Sequence, residues 1–93
     1  MLSREDRAEI YRRAIEKYGE DMQLIVALEE MAELAKEICK RQRGDGVLAH
    51  LSEEMADVMI CLEQMEMILD NRLQVQKIIQ EKTERLAERL GRA

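Results

Sequence analysis

GEDMQLIVALEEMAELAKEICK, residues Gly19–Lys40, decides the fold. A glycine opens it, acidic residues follow, and the apolar positions then return every three or four residues. That period is helical, and no stretch of the chain alternates as a strand would. Leu24, Leu28, Met31, Ala35 and Ile38 form one row, and Ile25, Ala32 and Cys39 a second. Glu30, Glu33 and Glu37 run along the edge of this apolar surface. Within the stretch, EEMAEL at Glu29–Leu34 returns later as EEMADV at Glu53–Val58. Residues three and four apart share a helix face. Glu30 therefore points with Glu33, and Glu54 with Asp57.

Working outward, the next segment, LSEEMADVMICLEQM at Leu51–Met65, lies in a third helix. This helix starts near Val47 or Ser52 and reaches about Asp70, with Leu51, Met55, Val58, Leu62, Met65 and Leu69 as its core row. Gly44-Asp45-Gly46 separates it from the second helix, which runs from Glu20 or Asp21 to about Arg43. Upstream, Ser3 and Asp6 have capping-box spacing and open a first helix. It carries Ala8, Tyr11, Ala14, Ile15 and Tyr18 on one stripe and stops at Gly19. Downstream, Asp70-Asn71 marks another break. The last helix runs to about Leu90, with Val75, Ile79, Leu86 and Leu90 on its apolar face. The expected fold is all-α, an antiparallel bundle of about four helices joined by short connections, in one domain over residues 1–93.

The composition agrees: no Pro, four Gly, seven Met, no Phe or Trp. A chain this short has a marginal core alone, and oligomerisation is a natural remedy. Helices two and three each carry more than one apolar row, more than a lone bundle covers, so a homodimer or a dimer of dimers is expected. The net charge is −5, from 20 acidic and 15 basic side chains, which argues against a nucleic-acid polymer as partner. No apolar run approaches the ~20 residues needed to span a bilayer. The charged start (Arg4, Glu5, Asp6, Arg7) has no apolar signal core. The expected location is cytoplasmic, without membrane contact. Cys39 and Cys61 lie in apolar helical patterns and read as reduced core thiols.

Two carboxylate pairs on facing helices repel, and a hard divalent cation relieves that repulsion. Mg²⁺ fits an all-oxygen set, and Mn²⁺ substitutes. The competing reading is a solvated, glutamate-rich helix surface. A di-iron site would need Glu-x-x-His motifs. The one histidine, His50, lies four residues before Glu54, and zinc is disfavoured for the same want of ligands. A polyphosphate at such a site calls for more positive charge. Lys36 and Lys40 follow the first pair, and Lys82, Arg85 and Arg89 lie on the last helix. Ordinary surface ion pairing is the plain alternative for each.

The pattern Glu29-Glu30-x-x-Glu33, then Glu54-x-x-Asp57, resembles the signature of the all-α nucleoside triphosphate pyrophosphohydrolases. That superfamily includes MazG, the dimeric dUTPases, the dCTP pyrophosphatases and phosphoribosyl-ATP pyrophosphatase. The likeness is greatest to short, single-domain MazG-like proteins, and it extends over roughly Tyr11 to Leu90, to the ending KTERLAERL. It implies cleavage of a nucleoside triphosphate between its α- and β-phosphates, giving a monophosphate and pyrophosphate. By position, Glu30, Glu33, Glu54 and Asp57 match the family's Mg²⁺ ligands, and Glu29 the extra glutamate that binds a further metal or orients the attacking water. Glu29 and Glu30 are thus the candidate catalytic residues. Family members often set aromatic side chains against the base. Here only Tyr11, Tyr18 and Gln23 are candidates, each as readily a packing residue. The family also builds its sites across subunits, so that Lys82 or Arg85 of the last helix would reach a neighbour's phosphates. Gln23, Lys36, Lys82 and Arg85 are the substrate-binding candidates. The alternative function is a non-enzymatic helical module that oligomerises or binds a partner, with a vestigial or structural carboxylate site.

Overall fold

A computed structural model describes residues 1–91. It is all-helical, with α1 over Arg4–Tyr18, α2 over Glu20–Gln42, α3 over Leu48–Leu69 and α4 over Arg72–Arg89. Among the described residues there is no strand, and no helix is long and apolar enough to cross a membrane.

Local chemistry sets each boundary. The Ser3 hydroxyl accepts from the Asp6 amide, and the Asp6 carboxylate accepts from the Ser3 amide, both at 3.0 Å. Two of the orphan donors at the start of α1 are thereby satisfied. Gly19, at φ +93°, ends α1 and starts α2 with no intervening loop. A β-carbon is strained in that region, so the sharp corner calls for glycine. In the second connection, a β-carbon on Gly46 would meet the Arg41 backbone nitrogen at 2.8 Å. That glycine lets the loop close on the end of α2. Asp70, at φ +51°, is the left-handed cap of α3, and its N–H donates to the Glu66 carbonyl.

The principal packing is α2 on α3, with α1 lying more lightly against both. On α2 the innermost residues are Ala27 and Glu37, with Gln23, Glu30 and Leu34 half-buried in the same stripe. On α3 they are Val58 and Cys61, with Leu51, Glu54 and Met65 half-buried beside them. The apolar rows read from the sequence are therefore only partly turned inward: Leu24 and Met31 on α2 and Leu51, Val58 and Met65 on α3 are half-buried or buried, and the rest face outward. Leu28 is 68% exposed, Met55 45% and Leu62 44%, and Ile25, Ala32, Ala35, Ile38 and Cys39 are exposed as well. The inner stripes of α2 and α3 thus mix small, acidic and larger apolar side chains, with Ala27 the most buried of them. Tyr18, expected on the inner stripe of α1, is exposed, with the Lys17 ammonium 5.4 Å from its ring centre. Both thiols are free, as expected, but only Cys61 is buried.

α4 diverges after Asp70. It makes no extensive contact with any other helix, and Ile79, Leu86 and Leu90 on its apolar face are exposed. The radius of gyration is 16.2 Å. A compact chain of this length would have about 12 Å. The accessible surface is 7533 Å², about 2,000 Å² more than the mass scaling gives for a compact monomer.

Candidate metal centre

Glu30 on α2 and Glu54 and Asp57 on α3 each offer a carboxylate oxygen, and the three oxygens lie within 4.8 Å of one another. Position on the helices explains why these three meet. Glu30 lies between Ala27 and Leu34 on the stripe of α2 that faces α3, and Glu54 precedes Val58 by one turn on the stripe that faces back. Asp57 is at the margin of that stripe and remains exposed.

The electrostatics are those of crowded carboxylates. Burial pushes the Glu30 carboxyl above its ordinary value, and Glu54 and Asp57 add to the shift by hydrogen bonding and by charge. Glu54 Oε2 is shielded from solvent and has no hydrogen-bond partner among the described residues. An orphaned carboxylate oxygen in a polar cluster is costly unless a proton or a cation completes it. The donors are all oxygen, two of the three side chains are half-buried, and one oxygen is unsatisfied. These features fit a hard divalent cation.

The remaining site residues expected from the sequence are distributed otherwise. Glu33 is exposed and lies outside the cluster. Three residues along a helix leave it about 60° short of the direction of Glu30, away from the middle of the stripe that faces α3. Three of the four expected carboxylates are thus brought together. Glu29 is exposed beside Glu30. Gln23 Nε2 donates to Gln64 Oε1 at 2.6 Å, tying α2 to α3 about 10 Å along α2 from Glu30. Lys36 is exposed, while Lys40 reaches Glu37 at 3.4 Å. His50 is exposed and outside the cluster. Lys82 and Arg85 border a shallow surface with Glu88 and Arg89, built from α4 alone. Because α4 stands away from α2, this chain does not bring them to its own carboxylates.

Sequence reasoning missed two residues of the contact between α2 and α3. Burial, and then the charges of Glu30 and Asp57, push the thiol of Cys61, one turn beyond Asp57, above its ordinary value. Gln64 is the partner of Gln23. The Asp57-x-x-x-Cys61 spacing, four residues on one helix face, was the available signal for the first. Comparison of the chain with models of protein families, with curated proteins and with solved structures finds no match to any of them.

Proposed function

We propose that this chain is a divalent-cation-dependent nucleoside triphosphate pyrophosphohydrolase, acting on nucleotides in a house-cleaning role. The observation that carries the reading is the meeting of Glu30, Glu54 and Asp57 within 4.8 Å, on two helices whose sequences repeat one carboxylate motif. Glu30, Glu54 and Asp57 would hold Mg²⁺, or Mn²⁺ in its place, with the exposed Glu33 able to swing in as a fourth ligand. When bound, the ion supplies neutralisation of phosphate charge and a more acidic water. Glu29, exposed and adjacent to Glu30 in sequence, is the candidate to accept the proton of the attacking water. The water oxygen bonds to the α-phosphorus, the bond from that phosphorus to the α,β-bridging oxygen breaks, and pyrophosphate leaves with its electron pair. Lys36 is one turn beyond the motif and available to the leaving phosphates.

The reading includes assembly. α2 and α3 run antiparallel in it: Gln23, early on α2, bonds to Gln64, late on α3, while Glu30 meets the earlier Asp57. The surplus surface, the exposed rows of α2 and α3 and the divergent α4 support a homodimer or a dimer of dimers. In such an assembly, Lys82 and Arg85 would serve a neighbour's site. The same exposed faces favour the second reading, a helical module that assembles without chemistry. Pyrophosphate release from a panel of nucleoside triphosphates, with Mg²⁺, Mn²⁺ or EDTA, tests the proposal. Metal-dependent release lost in Asp57→Asn supports it. No release from any nucleotide, with assembly intact, favours the module.

A further inference from the structure

We propose that Gln23 and Gln64 are positioning residues, whose hydrogen bond holds α2 and α3 at the one alignment in which Glu30 meets Glu54 and Asp57. This role rests on the cation reading of that centre and supplies what aligns it.

Gln23 Nε2 donates to Gln64 Oε1 at 2.6 Å, and both side chains are half-buried. Among the described residues, it is the one hydrogen bond between uncharged side chains of α2 and α3. Helical spacing relates it to the centre. Gln23 lies seven residues before Glu30, and Gln64 seven residues after Asp57. Seven residues make two turns to within about 20°. Each glutamine therefore shares a stripe with a carboxylate of the centre. The two pairs are rungs of the antiparallel alignment proposed above, about 10 Å apart. A slip of either helix breaks both rungs together.

The residues between the rungs hold that alignment weakly. The most buried of them are Ala27, Val58 and Cys61, none of them large. Small side chains make few dispersion contacts, so a slip forfeits little. The carboxylates oppose closure, because three of their oxygens crowd within 4.8 Å. A directional bond is what remains to choose one alignment among several. Polar residues in helix contacts serve that purpose, since any other alignment leaves half-buried amides unpaired. A chain misaligned for part of the time binds cation more weakly, in proportion to the aligned fraction.

The test measures Mn²⁺ binding to the full chain, by the electron paramagnetic resonance of the free ion, alongside thermal melts in EDTA. Glu54→Gln gives the background of binding elsewhere on the acidic surface. In the double variant Gln23→Met/Gln64→Met, each side chain keeps its length and the bond is lost. Facing apolar side chains leave no orphaned amide, so this variant is expected to melt no lower than the native chain. Its Mn²⁺ affinity is nevertheless expected to fall about fivefold, equivalent to about 1 kcal/mol. Gln64→Glu, whose carboxylate accepts the same bond from Gln23, is expected not to weaken Mn²⁺. Ser3→Ala removes the cap of α1, and is expected to lower the melting temperature while leaving the affinity unchanged. The proposal is overturned if the double methionine variant binds Mn²⁺ as tightly as the native chain, or if Gln64→Glu weakens it as much as that variant does. It is also overturned if Ser3→Ala loses as much affinity, because the effect then follows stability alone. A native chain that binds Mn²⁺ no better than Glu54→Gln ends the cation reading itself, and the positioning role with it.

Discussion

Replacing Glu54 with Gln should raise stability in the absence of metal and lower it in its presence. Its carboxylate lies within 4.8 Å of those of Glu30 and Asp57. At that separation, like charges repel by about 0.9 kcal/mol in bulk water and about 3.5 kcal/mol at an effective dielectric of 20. Asp57 is exposed, so solvent screens its share, and the lower end of that range applies to it. A net gain of about 1 kcal/mol is expected for Glu54→Gln, raising the melting temperature by about 4–8 °C in a domain of this size. The amide can also donate to the two carboxylates that remain. With Mg²⁺ at a hundred times its dissociation constant, the native chain gains about 2.7 kcal/mol. The variant, short of one charged ligand, gains much less. The order of stability therefore reverses between EDTA and Mg²⁺, and paired thermal melts followed by circular dichroism measure it. Glu54→Gln destabilised in EDTA, together with a native melting temperature indifferent to Mg²⁺, would refute the reasoning.

Glu30→Gln, Glu33→Gln and Asp57→Asn should each lower pyrophosphate release on the order of a hundredfold, equivalent to about 2.7 kcal/mol of lost transition-state stabilisation, while remaining folded. Normal turnover in both Glu33→Gln and Asp57→Asn would show the ligand assignment to be wrong. Ca²⁺ should raise the melting temperature but support hydrolysis poorly, because its coordination is looser; full activity with Ca²⁺ argues against the assigned role of the ion. The raised Glu30 carboxyl means that the folded, metal-free chain binds this proton more tightly than the unfolded chain does. Its contribution is therefore fully present below the ordinary value of 4.5 and is lost as pH rises through the raised one. Metal-free melts of Glu30→Gln should lack that part of the pH dependence, and parallel curves for the two proteins would contradict it. Light scattering should give a mass at least twice 10.9 kDa; a stable monomer at micromolar concentration would remove the shared assembly.

Much of the secondary structure was legible because its signals are local. Ser3 and Asp6 cap α1 by side-chain chemistry within three residues, and Gly19 turns the chain because only glycine is at ease there. Gly44–Gly46 and Asp70-Asn71 mark the two other connections for similar reasons. The inner face of each helix was less legible. Hydropathy favours the row through Leu24, Leu28 and Met31, yet α2 turns Ala27, Glu30 and Glu37 toward α3 and leaves Leu28 mostly exposed. A single chain cannot cover every apolar row, and the sequence does not rank one row above another. The same rotation explains the site. Glu30, Glu54 and Asp57 were recoverable from spacing, because carboxylates on facing stripes must meet. Glu33 shares the motif spacing but lies one step round the helix, outside the cluster, and Lys82 and Arg85 lie on a helix whose placement depends on contacts distant in sequence. Cys61 carried a signal only in its spacing from Asp57 and Gln64 carried none; the register of α2 on α3 alone pairs Gln64 with Gln23.

That register has a consequence for how the fold holds together. The interface between α2 and α3 is the main contact in the chain, and its middle is acidic rather than apolar. Among the described residues, Ala27, Val58 and Cys61 are the buried apolar ones, and no large side chain is fully buried. Each supplies only a small apolar area at about 25 cal/mol per Å². The Glu30–Glu54–Asp57 repulsion opposes that modest gain at the place where the helices must close. Whatever neutralises the three carboxylates therefore acts on helix packing and on the site at once. Bound cation removes the repulsion, and protonation of Glu30 removes part of it. Val58→Ala separates the two effects, because it deletes apolar contact between the helices without altering charge. Removal of buried methyl groups is expected to cost about 1–3 kcal/mol here. Mg²⁺ should restore stability by the same increment in the variant as in the native chain, provided that the site forms equally in both. If the increment vanishes, helix closure and cation binding are a single event, and the metal-free chain exists with α2 and α3 apart.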